Sequence, residues 1–371
     1  MKIKNEHKYV NAFNLIPGIG PQKLYLIAQY FETFEQAWRS KSEELKNANL
    51  TPKLIENISE ARKTIDPDQE FQRLQDEEIE IITIQDEQFP KNLKTITSPP
   101  FVLYVRGNLD LLKSPSIAVV GSRKISDYGK HAITTIIRDI AKSGITIVSG
   151  LALGTDALAH RETLDASGTT IAVLGGGIDD KTITPRSHIN LANQILDNGG
   201  AIISEYPIGI QPNRGTFPAR NRIMAGLTTA TVIIESTAKS GTLITAQHAH
   251  KFKRNLFALP GSIFTTNSVG PNMLIREGKA KALLCSDDIK DLFKDVLKDT
   301  SKSSGRTCPS TTLTEHQKML FETIKKHPDG VNINTIIKET KLDGSTISSE
   351  LTMMEIDGIV KNIGNQTYIV I

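Results

Sequence analysis

Nine short strand-like runs recur between residues 79 and 284, most of them rich in β-branched residues and alternating with helical stretches: Ile79–Ile84, Phe101–Val105, Ser116–Val120, Thr146–Ser149, Thr170–Leu174, Ala201–Ser204, Thr231–Glu235, Asn255–Ala258 and Lys281–Leu284. Several are apolar almost throughout. A strand with one wet face alternates polar and apolar residues, whereas a strand covered on both faces does not. The intervening Asp127–Lys142, Ser187–Asn198, Leu243–Lys253 and Asp287–Lys298 read as helices. Repeated strand–helix alternation with doubly buried strands predicts an α/β fold with a doubly wound, mostly parallel sheet.

Different patterns flank this region. Residues 1–65 read as short helices, Asn11–Ile16, Gln22–Phe31, Phe34–Ser40 and Pro52–Lys63, with Pro17-Gly18-Ile19-Gly20-Pro21 between the first two. After Ser301-Lys302-Ser303-Ser304-Gly305, a flexible-linker composition, come helices Thr314–Lys326, Asn334–Lys341 and Ser345–Asp357. A hairpin follows, Ile359–Asn362 with Thr367–Ile371, joined through Gly364-Asn365. Three helices and a hairpin predict a winged helix. The expected domains are 1–70 (helical), 71–298 (α/β), a linker 299–310, and 311–371 (winged helix).

Composition narrows the function classes. Two cysteines, Cys285 and Cys308, cannot build a disulfide framework or a four-thiolate zinc site. No run of about 18 apolar residues occurs, and Met1–Leu15 lacks a signal peptide's apolar stretch, so the expectation is a cytoplasmic protein with no membrane partner. Net charge is only +3, but it is unevenly placed. Residues 66–90 are strongly acidic, with Arg73 their one cation. Residues 206–260 carry Arg214, Arg220, Arg222, Lys239, Lys251, Lys253 and Arg254 against Glu235 alone. This local surplus points to an anion site within one domain or, more plainly, to a solvated basic face.

Spacing favours the anion site. The strand ending at Val120 runs into Gly121-Ser122-Arg123, and a helix starts by Asp127. Other strands end in Ser149-Gly150 followed by Gly154-Thr155-Asp156, in Gly175-Gly176-Gly177, and near Ser240-Gly241-Thr242. Glycine at a strand's carboxyl end lets backbone approach a phosphate, and a following helix offers free N–H groups. Tight turns need glycine in any case, which explains some of these positions but less easily all four. The spacing is neither G-x-G-x-x-G nor a Walker motif. Phe217-Pro218-Ala219-Arg220-Asn221-Arg222 adds guanidinium groups for phosphates and a ring for an unpaired base. The structural alternative places Phe217 in the core and pairs Arg222 with Glu235.

Catalytic patterns are poor. There is no H-E-x-x-H and no G-x-S-x-G, and His248 and His250 stand two apart on a helix, off a common face. Glu205, Glu235 and Asp156 suit capping and pairing. Leu15–Gly20 is similar to a helix-hairpin-helix turn, with only Lys23 basic nearby. The last helix of the winged region carries Glu350, Glu355 and Asp357 and no cation, which predicts a protein contact and not a duplex groove.

Taken together the motifs resemble the DNA-processing protein A (DprA, or Smf) family over nearly the whole chain, most strongly 88–285. The resemblance rests on Phe89-Pro90, Leu103–Asn108, Ile117–Arg123 with Ser126 and Tyr128-Gly129, and Val148–Ala152 with Gly154–Asp156. Ser204–Pro207, Phe217–Arg222, Ser240–Ala246 and Pro260-Gly261 complete it. It implies an extended Rossmann domain that binds single-stranded DNA, an amino-terminal sterile-alpha-motif-like domain and a carboxyl-terminal winged helix. It also implies a non-enzymatic mediator, without cofactors or metal, that protects incoming strands in natural transformation and loads the recombinase RecA, as a homodimer through the Rossmann domain. The implied DNA-binding residues are Gly121, Ser122, Arg123, Ser149, Gly150, Arg186, Phe217, Arg220, Asn221, Arg222, Lys239, Ser240 and Gly241. One departure is Thr184-Pro185-Arg186, where the family usually has Tyr-Pro. The alternative is a Rossmann enzyme like the nucleotide phosphoribohydrolases. Their P-G-G-x-G-T-x-x-E signature places a catalytic glutamate where this chain has Thr245.

Overall fold

A computed structural model describes residues 2–297, 314–327, 330–356, 359–364 and 366–370. The apolar runs become nine strands of one sheet: β1 (Ile79–Thr83), β2 (Val102–Gly107), β3 (Ser116–Val120), β4 (Thr146–Ser149), β5 (Thr170–Val173), β6 (Ala201–Ser204), β7 (Ala230–Ile233), β8 (Asn255–Ala258) and β9 (Lys281–Ala282). Their spatial order is β1-β2-β6-β5-β4-β3-β7-β8-β9. From β6 to β9 every neighbour is parallel, while β2 pairs antiparallel with both β1 and β6.

Alternate residues of one strand enter different cores, as period-two geometry requires. Ile117 and Val119 join Ile147, Val232 and Phe257 under the helical stretch 127–142. Ala118 and Val120 join Val148, Met224 and Ala246 under helices Thr216–Leu227 and Gly241–Lys251 on the other face. With both faces covered, apolar residues are needed at every central position. The chain winds outward from β3 through β4 and β5 to β6, then returns to β7 on the other side of β3. The order therefore reverses between β3 and β7, and such a switch point opens a crevice at the strands' carboxyl ends.

Helices Lys2–Asn14, Pro21–Tyr30, Phe34–Arg39, Ser42–Asn47, Pro52–Thr64 and Pro67–Asp76 precede the sheet. The first of them spans Lys2–Asn14, not the expected Asn11–Ile16, because Pro17 and Gly18 (φ +92°) end it early and an apolar face at Val10 and Phe13 extends it backwards. Phe13, Leu24, Ile58 and Trp38 share a core with Tyr104, Ala172 and Ile202 of the sheet. Buried Tyr104 donates to Asn11 Oδ1 at 2.9 Å and accepts from Asn14 Nδ2 at 3.1 Å. Met1–Ser301 accordingly forms one compact unit.

Lys302–Ile371 is a second compact unit. Helices Glu315–Lys325, Ile333–Thr340 and Gly344–Ile356 pack Leu320, Ile324, Ile336, Ile347 and Leu351 around Val360. Strands β10 (Val331–Asn332), β11 (Val360–Asn362) and β12 (Thr367–Val370) form an antiparallel sheet with β12 central. The two-residue β10 is too short to leave a sequence signal. Ser345, Ser348, Ser349, Thr352, Met353 and Glu355 are exposed on the last helix. The expected linker 299–310, Cys308, Asp357, Asn365 and Ile371 lie outside the described residues. Among the described residues no helix is long and apolar enough to cross a membrane.

Candidate nucleic-acid interface

At the β3/β7 switch point lies an open groove of about 610 Å³, built from the turns that follow β3 and β7 and from helix Thr216–Leu227. Of the sequence-expected residues, Gly121, Ser122, Arg123, Phe217, Arg220, Asn221, Ser240 and Gly241 line it. Lys124 and Arg214 also line it, so four cations face one carboxylate, Asp156. Arg123, Lys124 and Arg214 are exposed; Arg220 is buried.

Close backbone packing shapes the phosphate turn. Gly154 has φ +76°, and a side chain there would run into the carbonyls of Ser122 and Arg123. The Thr155 N–H and Oγ1 both donate to the Ser122 carbonyl at 3.1 Å, so the second glycine turn props up the first. Across the crevice Thr242 Oγ1 donates to the Gly121 carbonyl at 3.0 Å, and Ser240 Oγ caps helix Gly241–Lys251 by accepting from the Thr242 N–H at 3.2 Å. The first turn of that helix borders the groove and offers the positive end of its dipole to an anion.

Glu235, just past β7, is a brace. It accepts from the Ser126 N–H and from Asn267 Nδ2, each at 3.0 Å, and from the Ser126 hydroxyl. Ser126 in turn caps the helix that begins at Asp127. Asn267 Nδ2 also donates to the Lys124 carbonyl at 3.0 Å, bringing the loop after β8 to the groove's edge.

Phe217 lies half-buried against Gly175, where an added Cβ would come within 3.1 Å of ring atom Cδ1. Its centroid is 5.9 Å from the Arg123 guanidinium. This ring is neither free nor fully in the core. It packs against the third glycine turn and under the Arg123 guanidinium while the residue lines the groove.

The other arginines divide by environment. Arg220 donates to the Val173 carbonyl, and its guanidinium lies where a Gly150 side chain would be. Gly150 is thus needed to seat a buried cation, and its N–H donates to Asp156 Oδ2 at 3.1 Å. Burial pushes Arg220 down and Asp156 up, while each pulls the other back toward its charged form. Ser149, fully buried, donates to the Val119 carbonyl at 2.7 Å and supports the turn from below.

Five expected contacts do not line the groove: buried Ser149 and Gly150, which support it, and Arg222, Arg186 and Lys239. Arg222 donates to both oxygens of Glu205, at 2.5 and 2.7 Å, and not to Glu235; both side chains are largely buried away from the groove lining. Arg186 donates to the Asp180 carbonyl at 2.5 Å, outside the groove. Lys239 is exposed beside the N-cap Ser240 without itself lining the groove. Arg214 and Lys124 carried a sequence signal, the basic surplus and adjacency to Arg123. Asn267 carried none, since only tertiary folding brings its loop to Lys124.

Beneath the site His160 is fully buried, with Nδ1 2.7 Å from Thr170 Oγ1, and desolvation pushes it down to about 3 from 6.5. The unfolded chain therefore takes up the proton first. The neutral form's contribution is complete above about pH 6.5 and is lost progressively as pH falls toward about 3. At about pH 5 we expect roughly 2 kcal/mol less stability from this residue than at neutrality. Chemical denaturation at the two pH values checks this, and His160→Asn should flatten the difference.

Comparison with known proteins places this arrangement. Residues 80–294 match the model of the DNA recombination-mediator protein A family. Protein Smf of Synechocystis sp. is 34% identical across 98% of both chains. Protein Smf of Escherichia coli is 42% identical over 53% of this chain and 52% of its own. The crystal structure of DNA processing protein A from Streptococcus pneumoniae superposes with a TM-score of 0.65 at 33% identity, covering 78% of this chain and 96% of that one. A structure from Helicobacter pylori describing that protein's single-stranded DNA binding mode gives 0.52 at 32% identity, over 59% and 97%. The matched segment contains the whole switch-point groove and all of its turns, and on that basis the chain belongs to the DNA recombination-mediator protein A (DprA/Smf) family.

Proposed function

We infer that this protein binds single-stranded DNA in the switch-point groove and serves as a recombination mediator, protecting incoming strands and loading RecA on them during natural transformation. The observation that carries the reading is one open groove combining exposed Arg123, Lys124 and Arg214 with a half-buried aromatic ring, Phe217. Cations along a groove hold a phosphate backbone, and a stacking ring accepts any base, which together suit sequence-tolerant single-strand binding. Thr245 lines the groove where the phosphoribohydrolase signature has its glutamate, so a carboxylate is missing from the place that chemistry requires.

In this reading residues 1–70 are a sterile-alpha-motif-like domain, 71–298 the extended Rossmann domain, and 311–371 a winged helix that meets protein through its cation-free last helix. The protein acts in the cytoplasm as a homodimer through the Rossmann domain. Two grooves on one particle hold two stretches of a strand at high effective concentration.

Salt titration tests the groove. Arg123→Ala, Lys124→Ala and Arg214→Ala should each flatten the slope of log affinity against log salt by about 0.7 per lost phosphate contact. Arg222→Ala should leave the slope unchanged, since Glu205 already neutralises that guanidinium. Unchanged slopes in the first three variants would refute the assignment. The mediator role is tested by RecA-driven strand exchange on DNA coated with single-strand binding protein. Wild type should stimulate exchange and Arg123→Ala should not.

A further inference from the structure

The loop that follows β8 carries the two most exposed large apolar side chains among the described residues, Ile263 at 80% and Phe264 at 90%. Its backbone is braced. The Thr265 N–H donates to the Ser262 carbonyl at 3.2 Å and the Ser268 N–H to that of Thr265 at 3.1 Å. Asn272 holds Gly261 by hydrogen bonds at 3.1 and 2.8 Å, and the Tyr128 hydroxyl donates to the Pro260 carbonyl at 2.6 Å. The ring is therefore presented to solvent by ordered backbone.

Its position is fixed relative to the groove. Asn267, three residues on, lines the groove and bonds both the Lys124 carbonyl and Glu235. At 3.8 Å between consecutive Cα atoms, Phe264 stands at most about 11 Å from that lining residue. Arg123, whose guanidinium lies over the Phe217 ring, and Lys124, whose carbonyl is held by Asn267 of this loop, are both exposed, and residues 261–268 contain no acidic side chain. A strand seated on Phe217 and led over those cations would meet Phe264 next.

We propose that Phe264 is a second stacking platform, taking a base of single-stranded DNA where the strand leaves the groove, with Ile263 supporting the sugar beside it. The proposal rests on the single-strand reading of the groove and extends it from a pocket to a track. An exposed ring at a basic rim offers a π-face to any base, so the added affinity is sequence-tolerant and appears only with strands long enough to reach it.

The test compares a trinucleotide of thymidylate with an oligothymidylate of about ten nucleotides, within the span of known single-strand sites. Fluorescence anisotropy would be measured on full-length wild type, Phe264→Ala and Phe264→Trp. The affinity gained on lengthening the strand should fall at least about fivefold in Phe264→Ala and be kept in Phe264→Trp. Phe217→Ala should instead weaken both lengths. An unchanged length gain in Phe264→Ala would overturn the platform while leaving the groove intact, and wild type that binds neither strand would overturn both. Sedimentation of the same variants closes the remaining route. If Phe264→Ala changes the association state of the DNA-free protein, the apolar pair belongs to a contact between chains and the platform is refuted.

Discussion

Glu205→Gln should lower the stability of the first unit by about 3–5 kcal/mol, the usual cost of leaving one member of a buried ion pair without its partner. Arg222 reaches both Glu205 oxygens, and the pair lies where the amino-terminal helices meet the sheet. Asn14 Nδ2 donates to the Glu205 carbonyl at 3.1 Å, and Tyr25, whose hydroxyl burial pushes up to about 12, stands in the field of both charges. Burial pushes the Glu205 carboxyl up and Arg222 pulls it back down, so the ionised form depends on that guanidinium. Removing the carboxylate strands a cation, whereas replacing both residues with apolar ones removes the desolvation cost as well. A Glu205→Leu, Arg222→Met double variant should therefore recover most of the loss. Trp38, the one tryptophan of the chain, is buried among the amino-terminal helices and reports their unfolding by fluorescence in a denaturant titration. A midpoint unmoved in Glu205→Gln would show that the pair is energetically idle.

Phe217→Ala should cost roughly 1–3 kcal/mol of single-strand affinity, the range for one base–aromatic stack. The ring is half-buried, so a stability control is needed. With Gly175 against the ring and the Arg123 guanidinium over it, truncation leaves a shallow hollow at the groove wall and not a sealed cavity. The Trp38 midpoint should move far less than in Glu205→Gln. Phe217→Trp should keep or raise the affinity if stacking is the function. Unfolding of Phe217→Ala, or full affinity in a folded variant, would return the ring to a packing role.

The sheet was legible because its signal is local. A strand buried on both faces must be apolar at nearly every position, and the glycine turns after it must tolerate close backbone contact. Runs such as Ser116–Val120 and Thr146–Ser149 therefore announce themselves with their ends. The turn Gly121-Ser122-Arg123 was readable for the same reason, since its geometry depends on neighbours within a few residues, whereas the helix expected from Leu243 begins two residues earlier, at Gly241, because Ser240 caps it. The fates of the arginines were not. Arg220 and Arg222 stand two apart, and once Phe217–Arg222 becomes part of helix Thr216–Leu227 they cannot share a face. Arg220 then sinks against Gly150 and the Val173 carbonyl, while Arg222 meets Glu205 just past β6. Glu235, the partner that the basic stretch itself suggested, is taken by Ser126 and Asn267 from two other loops. A charged side chain's role is set by which opposite charge the sheet order delivers to it, and that order is a property of the packed layers. The sequence alone determined the strands, their turns and the local excess of cations; the tertiary structure decided which of those cations face water and which are spent on the protein itself, because burial and pairing are settled between segments far apart in the chain.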